Sequence, residues 1–244
     1  MLAVAILAAG QGTRMRSPLP KVLHEAAGKS LLEHVLRAVA PLEPGRTAVI
    51  VGHRAEDVEA RFQDFPVTFV RQDFSLGYGT GMALKGAEGA LSGFTGPLLV
   101  LNGDGPLIRT ETLRALVRAQ AAQGEGMTLL TCSVRDPHGL GRIVRRPDGS
   151  VARIVEEKDA TPEEKAIREI NPGIYVFDHH VFEITAGLAS DNAAGEYYLT
   201  DAVSLYLRAG YRVQAVLGDD ETEILGVNDR EQLGLVERLL QDRR

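Results

Sequence analysis

The chain has 244 residues and is 44% hydrophobic, which is enough for one large α/β domain or two small ones with a substantial buried core. Its formal net charge is −6 and no segment concentrates lysine and arginine, so we expect no nucleic-acid partner. The single cysteine, Cys132, excludes an intrachain disulfide and a cysteine-rich metal site.

Short apolar runs alternate with amphipathic helical patterns along the first half of the chain. The predicted strands cover residues 2–8, 46–52, 66–71 and 97–102, and the predicted helices cover residues 30–42 and 110–123. This alternation implies right-handed crossovers and a parallel sheet with helices on both faces. The first run is too short to span a bilayer and leads into a glycine-rich loop. We therefore expect a core strand and no membrane partner. The single cysteine fits a reducing, cytoplasmic setting.

The second half of the chain changes character. Two strand-like pieces flank Pro147, Asp148 and Gly149, which is typical of a hairpin. Further elements are predicted as a strand at 170–178, a helix at 198–210, a strand at 211–218 and a helix at 228–241. The whole pattern predicts an α/β fold, a doubly wound and mostly parallel sheet with a small mixed α+β insertion on its C-terminal side.

The loop LAAGQGTRMRSPLPK, residues 7–21, follows the first predicted strand. Gly10 and Gly12 allow a sharp turn and a close approach of the backbone to a ligand. Arg14, Arg16 and Lys21 supply cations that can hold phosphate oxygens. Ligands of open parallel sheets bind beyond the C-terminal ends of the strands, so the loop indicates a triphosphate site. A glycine-rich turn with solvated cations remains the alternative.

Seven segments carry a resemblance to a known family. Residues 7–35 are followed in order by LNGDGPLI, GLGRIVR, IVEEKDAT, EINPGIYVF, GEYYLTD and GVNDR. This series resembles the sugar-1-phosphate nucleotidyltransferases, and within them the uridyltransferase domains of bifunctional uridyltransferase–acetyltransferases. The resemblance implies a Rossmann-like nucleotidyltransferase domain over 1–244, with a nucleotide-binding half at 1–110 and a sugar-phosphate-binding half at 111–244. Hexapeptide repeats of an acetyltransferase domain do not occur in the sequence.

The activity implied by the resemblance is transfer of UMP from UTP to N-acetylglucosamine 1-phosphate, with release of pyrophosphate and dependence on Mg²⁺. The attacking phosphate has a second pKa near 6, so it is ionised at neutral pH and needs no general base. Two alternatives stay open. One is a related nucleotidyltransferase with a different sugar or base, and the other is a catalytically silent nucleotide-sugar sensor.

Asp104 follows the strand predicted at 97–102 and lies between Gly103 and Gly105, so its carboxylate is sterically open to a ligand. An ordinary turn or a helix cap is the alternative role. The resemblance makes Asp104 and Asn228 the Mg²⁺ ligands, and it makes Arg14, Lys21 and Asp104 the catalytic residues. Asn228 also stands near the start of a predicted helix, where its side chain could cap that helix instead.

The nucleotide-binding residues are likewise carried over from the resemblance. They are Leu7, Ala8, Ala9, Gly10, Lys21, Gln72, Gly77, Tyr78, Asn102 and Gly103. The chain departs from the family here, because residues 76–81 read Leu-Gly-Tyr-Gly-Thr-Gly where Leu-Gly-Thr-Gly-His-Ala is usual. Tyr78 therefore either stacks on the nucleoside or points away from it. Asn102 and Gly105 replace a usual Tyr and Val, which implies a differently shaped pocket.

The sugar-binding residues implied by the resemblance are Gly141, Glu156, Asn171 and Asn228. Carboxylate and amide groups suit the hydroxyls of a hexose. Residues 195–201 resemble the segment that closes over the N-acetyl group. Considered alone, Glu156 could equally belong to a solvated charged run with Glu157 and Lys158.

Overall fold

The computed structural model describes residues 1–243, so Arg244, the last residue of the domain predicted over 1–244, lies outside the described residues. The strands are β1 Ala3–Ala8, β2 Glu25–Ala26, β3 Lys29–Ser30, β4 Arg46–Val51, β5 Thr68–Arg71, β6 Leu98–Asn102, β7 Met127–Ser133, β8 Gly141–Arg145, β9 Val151–Val155, β10 Glu169–Asn171, β11 Tyr175–Phe177 and β12 Val213–Gly218. The helices are α1 Leu31–Val39, α2 Ala55–Arg61, α3 Thr80–Gly86, α4 Thr110–Gln123, α5 Pro162–Lys165, α6 Val181–Thr185, α7 Ala202–Arg208 and α8 Arg230–Asp242.

The first half of the chain builds the parallel part of the sheet, in the order β5-β4-β1-β6. Strand β1 lies in the middle of this part, with Ala5 opposite both Ala48 and Val100. Alternate residues of β1 enter different cores because successive strand side chains point to opposite faces. Val4 and Ile6 pack with α1, α2 and α4, whereas Ala3 and Ala5 pack with α3 and α7. Helices thus cover both faces, and the predicted doubly wound α/β fold is confirmed.

The second half adds a mixed part to the same sheet. Strand β7 pairs with β11 and β10 in antiparallel fashion and with β12 in parallel fashion. The hairpin predicted around Gly149 is confirmed as antiparallel β8 and β9, with Gly149 at φ +83°. Strand β10 joins this hairpin to β7, so the small mixed part lies beside the C-terminal half of the sheet.

The strand predicted at 170–178 is wrong in one respect, because it is two strands. Strand β10 ends at Asn171 and β11 begins at Tyr175. Gly173 between them has φ +78°, and a Cβ there would lie 2.6 Å from Nδ2 of Asn102. The chain therefore breaks where it passes close to the end of β6, and the break leaves Asn171 at the rim of the sheet.

Three predicted helices form with shifted boundaries. Ser30 caps α1 by accepting a hydrogen bond from the Glu33 N–H, and a 3-10 turn at 40–42 continues the helix. The helix predicted at 198–210 begins as a 3-10 turn at 199–201, continues as α7 and ends before Gly210. The helix predicted at 228–241 begins at Arg230. Helices α2, α3, α5 and α6 were not predicted from the sequence. No helix within the described residues is both long and apolar enough to cross a membrane.

Candidate functional site

Two adjoining cavities lie beyond the C-terminal ends of β1 and β6. One encloses about 400 Å³ and the other about 470 Å³. Both are lined by Leu7, Thr80, Asn102 and Asp104, so they form one continuous cleft with Asp104 at the junction. This is the position where an open parallel sheet binds its ligands.

The smaller cavity, here called the nucleotide cavity, collects most of the predicted nucleotide-binding residues. Eight of them line it: Leu7, Ala8, Ala9, Gly10, Lys21, Gln72, Tyr78 and Asn102. Gly77 and Gly103 do not line it. The N–H of Gly103 donates to the carbonyl of Leu7 at 2.9 Å, which joins the end of β6 to β1.

Tyr78 forms part of the nucleotide cavity wall and stays 57% exposed. Its ring lies against that of Phe74, with 5.4 Å between the centroids. Because both rings line the cavity, Tyr78 presents an aromatic surface to it.

Lys21 joins the two side chains predicted as metal ligands. Its Nζ forms a salt bridge with Oδ2 of Asp104 and donates to Oδ1 of Asn228 at 3.2 Å. The Lys21 and Asp104 side chains are only 14% and 18% exposed, so this charge pair is largely removed from solvent. The backbone N–H of Val227 donates to the carbonyl of Asp104 at 2.9 Å, which holds the two segments together.

The helix-capping alternatives for Asp104 and Asn228 are not what the structure shows. Asp229, and not Asn228, caps α8 by accepting a hydrogen bond from the Gln232 N–H at 2.9 Å. The residue before α4 is Arg109, and no side chain caps that helix. Asp104 and Asn228 therefore keep their side-chain oxygens directed at a shared cation.

This pair of oxygens suits Mg²⁺. The carboxylate of Asp104 and the amide oxygen of Asn228 both reach one positive centre, which in this structure is the Lys21 ammonium. Magnesium prefers oxygen ligands and often takes one or two protein groups together with substrate phosphates and water. Among residues 1–243 no group of three or more His, Cys, Asp or Glu side chains could hold a metal ion. A metal at Asp104 and Asn228 would thus complete its coordination with substrate oxygens and water.

Arg14 lies apart from the other predicted catalytic residues. It belongs to a 3-10 turn, Thr13–Met15, and lines a separate open depression together with Asp229, Arg230 and Glu231. The neighbouring Met15 is fully buried and anchors this turn. Lys21 and Asp104 meet in the cleft, whereas Arg14 is exposed and lines neither of its two cavities.

The larger cavity, here called the sugar cavity, is lined by all four predicted sugar-binding residues: Gly141, Glu156, Asn171 and Asn228. A Cβ at Gly141 would meet the Glu156 carboxylate oxygens at 3.3 and 3.4 Å, so this glycine leaves room for the acid. Asn171 is 9% exposed, and its Nδ2 donates to the Tyr175 hydroxyl at 2.7 Å.

Glu156 and Glu157 have opposite surroundings. Burial raises the pKa of Glu156; Asp201 and Asp159 raise it further, while a hydrogen bond from Thr200 and the charge of Arg142 lower it. A hydrogen bond from Arg142 lowers the pKa of Glu157. The alternative that Glu156 belongs to a solvated charged run with Glu157 and Lys158 is therefore wrong, because Glu156 lines the sugar cavity.

Several residues that line the cleft were not predicted from the sequence. They are Gln11, Val22, Phe74, Gly79, Thr80, Ala83 and Glu196 on the nucleotide side, and Asp136, His138, Gly139, Leu140, Thr200 and Gln232 on the sugar side, among others. Thr200 lies in the quoted segment GEYYLTD, and Thr80 lies in the departing segment 76–81, so both stood within motifs already recognised. Asp136 and His138 had no such signal because only the fold brings their loop to the cleft.

Comparisons with known proteins agree with this geometry. Bifunctional protein GlmU of Streptococcus equi subsp. zooepidemicus is 47% identical over 98% of this chain and 51% of its own length. Bifunctional protein GlmU of Thermus thermophilus is 50% identical over 98% of this chain and 52% of its own length. The chain thus spans about half the length of the curated relatives it matches.

A solved structure of UDP-glucose pyrophosphorylase complexed with UDP-glucose superposes with a TM-score of 0.80 at 17% identity. The match covers 99% of both chains and supports the fold. The family of MobA-like NTP transferase domains matches residues 4–174, a range that includes the loop after β1, Asp104 and Glu156. Because this range is well over half of the sequence and agrees with the motif-based prediction, the chain belongs to the family of MobA-like NTP transferase domains.

Proposed function

We propose that this chain is a UDP-N-acetylglucosamine pyrophosphorylase, which transfers UMP from UTP to N-acetylglucosamine 1-phosphate and releases pyrophosphate. The observation that carries the proposal is the continuous cleft, whose two cavities meet at Asp104. A transfer between two phosphates requires both substrates to be held side by side with their charges neutralised at one point. The Lys21, Asp104 and Asn228 cluster lines the two cavities where they adjoin, which supports this cluster as that point.

In the proposed reaction an oxygen of the sugar phosphate attacks the α-phosphorus of UTP. The bond from that phosphorus to the bridging oxygen of the β-phosphate breaks, and pyrophosphate carries the electron pair away. The attacking phosphate is already ionised near neutral pH, so no side chain has to remove a proton. The chain's task is therefore to align two anions and to offset their repulsion.

The nucleotide cavity is the proposed site of UTP. The loop at residues 7–10 approaches the ligand through backbone groups, and Gln72 supplies a donor and an acceptor for the uracil edge. Lys21 would hold triphosphate oxygens once UTP offers them in competition with Asp104. Arg14 lines neither cavity, and its proposed role in holding phosphate oxygens rests on the resemblance of its loop to the family.

The proposed cofactor is Mg²⁺, held by Asp104 and Asn228. When bound, Mg²⁺ would act as a Lewis acid that neutralises phosphate charge. The two side chains reach a common cation already, and the contact between Val227 and Asp104 fixes their spacing.

The sugar cavity is the proposed site of N-acetylglucosamine 1-phosphate. Glu156 can accept hydrogen bonds from sugar hydroxyls, and Asn171 can both donate and accept. The cavity is rich in polar groups, including Asp136 and Thr200, which suits a hydroxylated ligand better than an apolar one.

A pyrophosphate-release assay over a panel of substrates tests the proposal. UTP, dTTP, CTP, ATP and GTP are each combined with the 1-phosphates of N-acetylglucosamine, glucosamine, glucose and mannose in the presence of Mg²⁺. We expect the highest kcat/KM for UTP with N-acetylglucosamine 1-phosphate. Preference for another pair would reassign the substrates, and no release with any pair would favour the nucleotide-sugar sensor.

A further inference from the structure

Two segments that lie more than 100 residues apart in the sequence meet between the nucleotide and sugar cavities. The N–H of Tyr197 donates to the carbonyl of Tyr78 at 2.8 Å, and the N–H of Gly81 donates to the carbonyl of Tyr197 at 2.9 Å. The Thr80 hydroxyl accepts a hydrogen bond from the N–H of Leu199 at 3.0 Å. Residues 78–81 and 197–199 are thus joined by three hydrogen bonds, here called the inter-cavity tie.

The glycines of this segment permit the close approach. A Cβ at Gly79 would lie 2.4 Å from the carbonyl oxygen of Tyr197, and a Cβ at Gly81 would lie 2.9 Å from the same atom. A Cβ at Gly77 would lie 2.8 Å from the Tyr197 ring. Distances this short are forbidden to real Cβ atoms or force a neighbour to move. Glycine at positions 77, 79 and 81 therefore lets Tyr197 pack against this segment, and a side chain at any of the three would push Tyr197 or its neighbours away.

The tie continues directly to the sugar cavity. Leu199 is 1% exposed, so its N–H has no access to water and depends on the Thr80 hydroxyl for a partner. The next residue, Thr200, lines the sugar cavity together with Glu156, and the 3-10 turn Leu199–Asp201 packs against β9, the strand that ends just before Glu156. Thr80 is therefore joined through Leu199 to the wall of the sugar cavity that Thr200 and Glu156 share.

We propose that Thr80 is a positioning residue for the sugar phosphate, acting by holding residues 197–200 against α3 so that Thr200 stays beside Glu156 in the wall of the sugar cavity. This inference rests on the proposed function, since it assigns a role within that same cleft. Thr80 and Gly81 stand where the family usually has His and Ala. On the side of residues 78–81, the groups that form the tie belong to Tyr78, Thr80 and Gly81, which are the positions where this chain differs from its family.

The main test compares Thr80→Val with Thr80→Ser. Valine keeps the shape of threonine without the hydroxyl and leaves the buried N–H of Leu199 unpaired, whereas serine keeps the acceptor. In T80V we expect the KM for the sugar 1-phosphate to rise about tenfold, with the KM for UTP changed less than about threefold. In T80S both constants should stay close to those of the wild type.

A second variant restores the family residue next to Thr80. Gly81→Ala places a Cβ against Tyr197 and the Leu188 side chain, and should produce the same selective rise in sugar-phosphate KM. Melting temperatures of all three variants identify any general loss of folding. An equal rise in both KM values, or a T80S variant as impaired as T80V, would overturn the proposal.

Amide hydrogen exchange of the peptide at 195–201 gives a readout that is independent of activity. Without substrates, exchange should accelerate in T80V and not in T80S, because only T80V releases the Leu199 N–H. Faster exchange without the selective KM change would overturn the inference, since the tie would then be only structural. Wild-type protein that turns over no substrate pair would overturn the proposed function and this inference together, whereas a failure confined to T80V concerns the inference alone.

Discussion

At the scale of single residues, the cleft is organised by one partly buried cation and two oxygen-bearing side chains. Lys21, Asp104 and Asn228 come from three distant parts of the sequence and converge within hydrogen-bonding distance. A lone carboxylate at this depth would be costly, and the lysine offsets that cost. The same pairing holds the oxygens of Asp104 and Asn228 where a cation that arrives with a nucleotide can reach them.

Replacing Asp104 separates its chemical role from its structural one. Asp104→Asn keeps an acceptor for Lys21 but removes the negative charge, so turnover should fall about 100-fold or more while the protein still folds. The measurement is kcat in the pyrophosphate-release assay, together with thermal unfolding. Asp148→Asn, the same change on the exposed β8–β9 turn, is the control. Unchanged turnover in D104N with Mg²⁺ present would refute the metal assignment.

The neighbouring acids Glu156 and Glu157 should respond to pH in opposite directions. Glu156 has a raised pKa in the folded state, so its contribution to stability is present at low pH and is lost as the pH rises through the folded value. Glu157 has a lowered pKa, so its contribution is present at neutral pH and is lost on acidification.

Glutamine variants test this contrast by thermal melts over a pH series. Glu156→Gln should melt higher than the wild type at about pH 8, and the difference should vanish towards about pH 4, where the wild-type acid is protonated. Glu157→Gln should melt lower than the wild type at about pH 8 because it loses the charge paired with Arg142. The same direction of shift in both variants would contradict the assigned environments.

At the scale of elements, the start of α8 determines where Asn228 points. Asp229 takes the capping position, and the backbone N–H of Asn228 donates to Oε1 of Gln232 at 2.7 Å. With its backbone fixed and the cap supplied by its neighbour, Asn228 is free to turn its side chain to Lys21. Because Asp229 and not Asn228 is the cap, the side chain of Asn228 stays available to a cation or a ligand.

Removing this cap should weaken the end of the fold that carries Asn228. Asp229→Ala leaves the Gln232 N–H without its side-chain partner and should lower the free energy of unfolding by about 1 kcal/mol. Asp229→Asn retains the acceptor and should lose much less. Urea unfolding measures both values, and equal stability of the alanine variant and the wild type would show that the cap is dispensable.

At the scale of the whole molecule, the two predicted halves share one sheet. Strand β11, from the second half, pairs with β6 of the first half and with β7, so backbone hydrogen bonds continue from β5 to β9. The cleft lies across this junction, with the nucleotide cavity beside β1 and the sugar cavity beside β8 and β10. Neither half carries the whole site.

This continuity predicts cooperative unfolding of residues 1–244 as one unit. Differential scanning calorimetry should give a single transition whose calorimetric and van't Hoff enthalpies agree. A saturating nucleotide should raise the midpoint without splitting the transition, because binding stabilises the folded state as a whole. Two resolved transitions, one of them insensitive to UTP, would instead show that residues 1–110 and 111–244 unfold separately.

Much of this protein is determined by local sequence pattern. Short buried apolar runs specify strands such as β1 and β4, and apolar residues at helical spacing specify α1 and α4. Both signals can be recognised from the sequence because they depend only on neighbours within a few positions. The glycine loop and the frame around Asp104 were likewise readable, since their backbone requirements are local. The resemblance then supplied the predicted sugar-binding residues, and all four of them line the sugar cavity.

Only the tertiary structure decided how these pieces act together. The break after Asn171, the contact of Asn228 with Lys21 and the tie from Thr80 to Leu199 each depend on a contact between segments far apart in the chain. Sequence periodicity carries no signal for such contacts, because their energies depend on which distant atoms the fold brings to within a few ångströms. The sequence by itself determined the parallel strands of the first half and the residue types in the loops at their ends, and the packing of distant segments decided which side chains share the cleft.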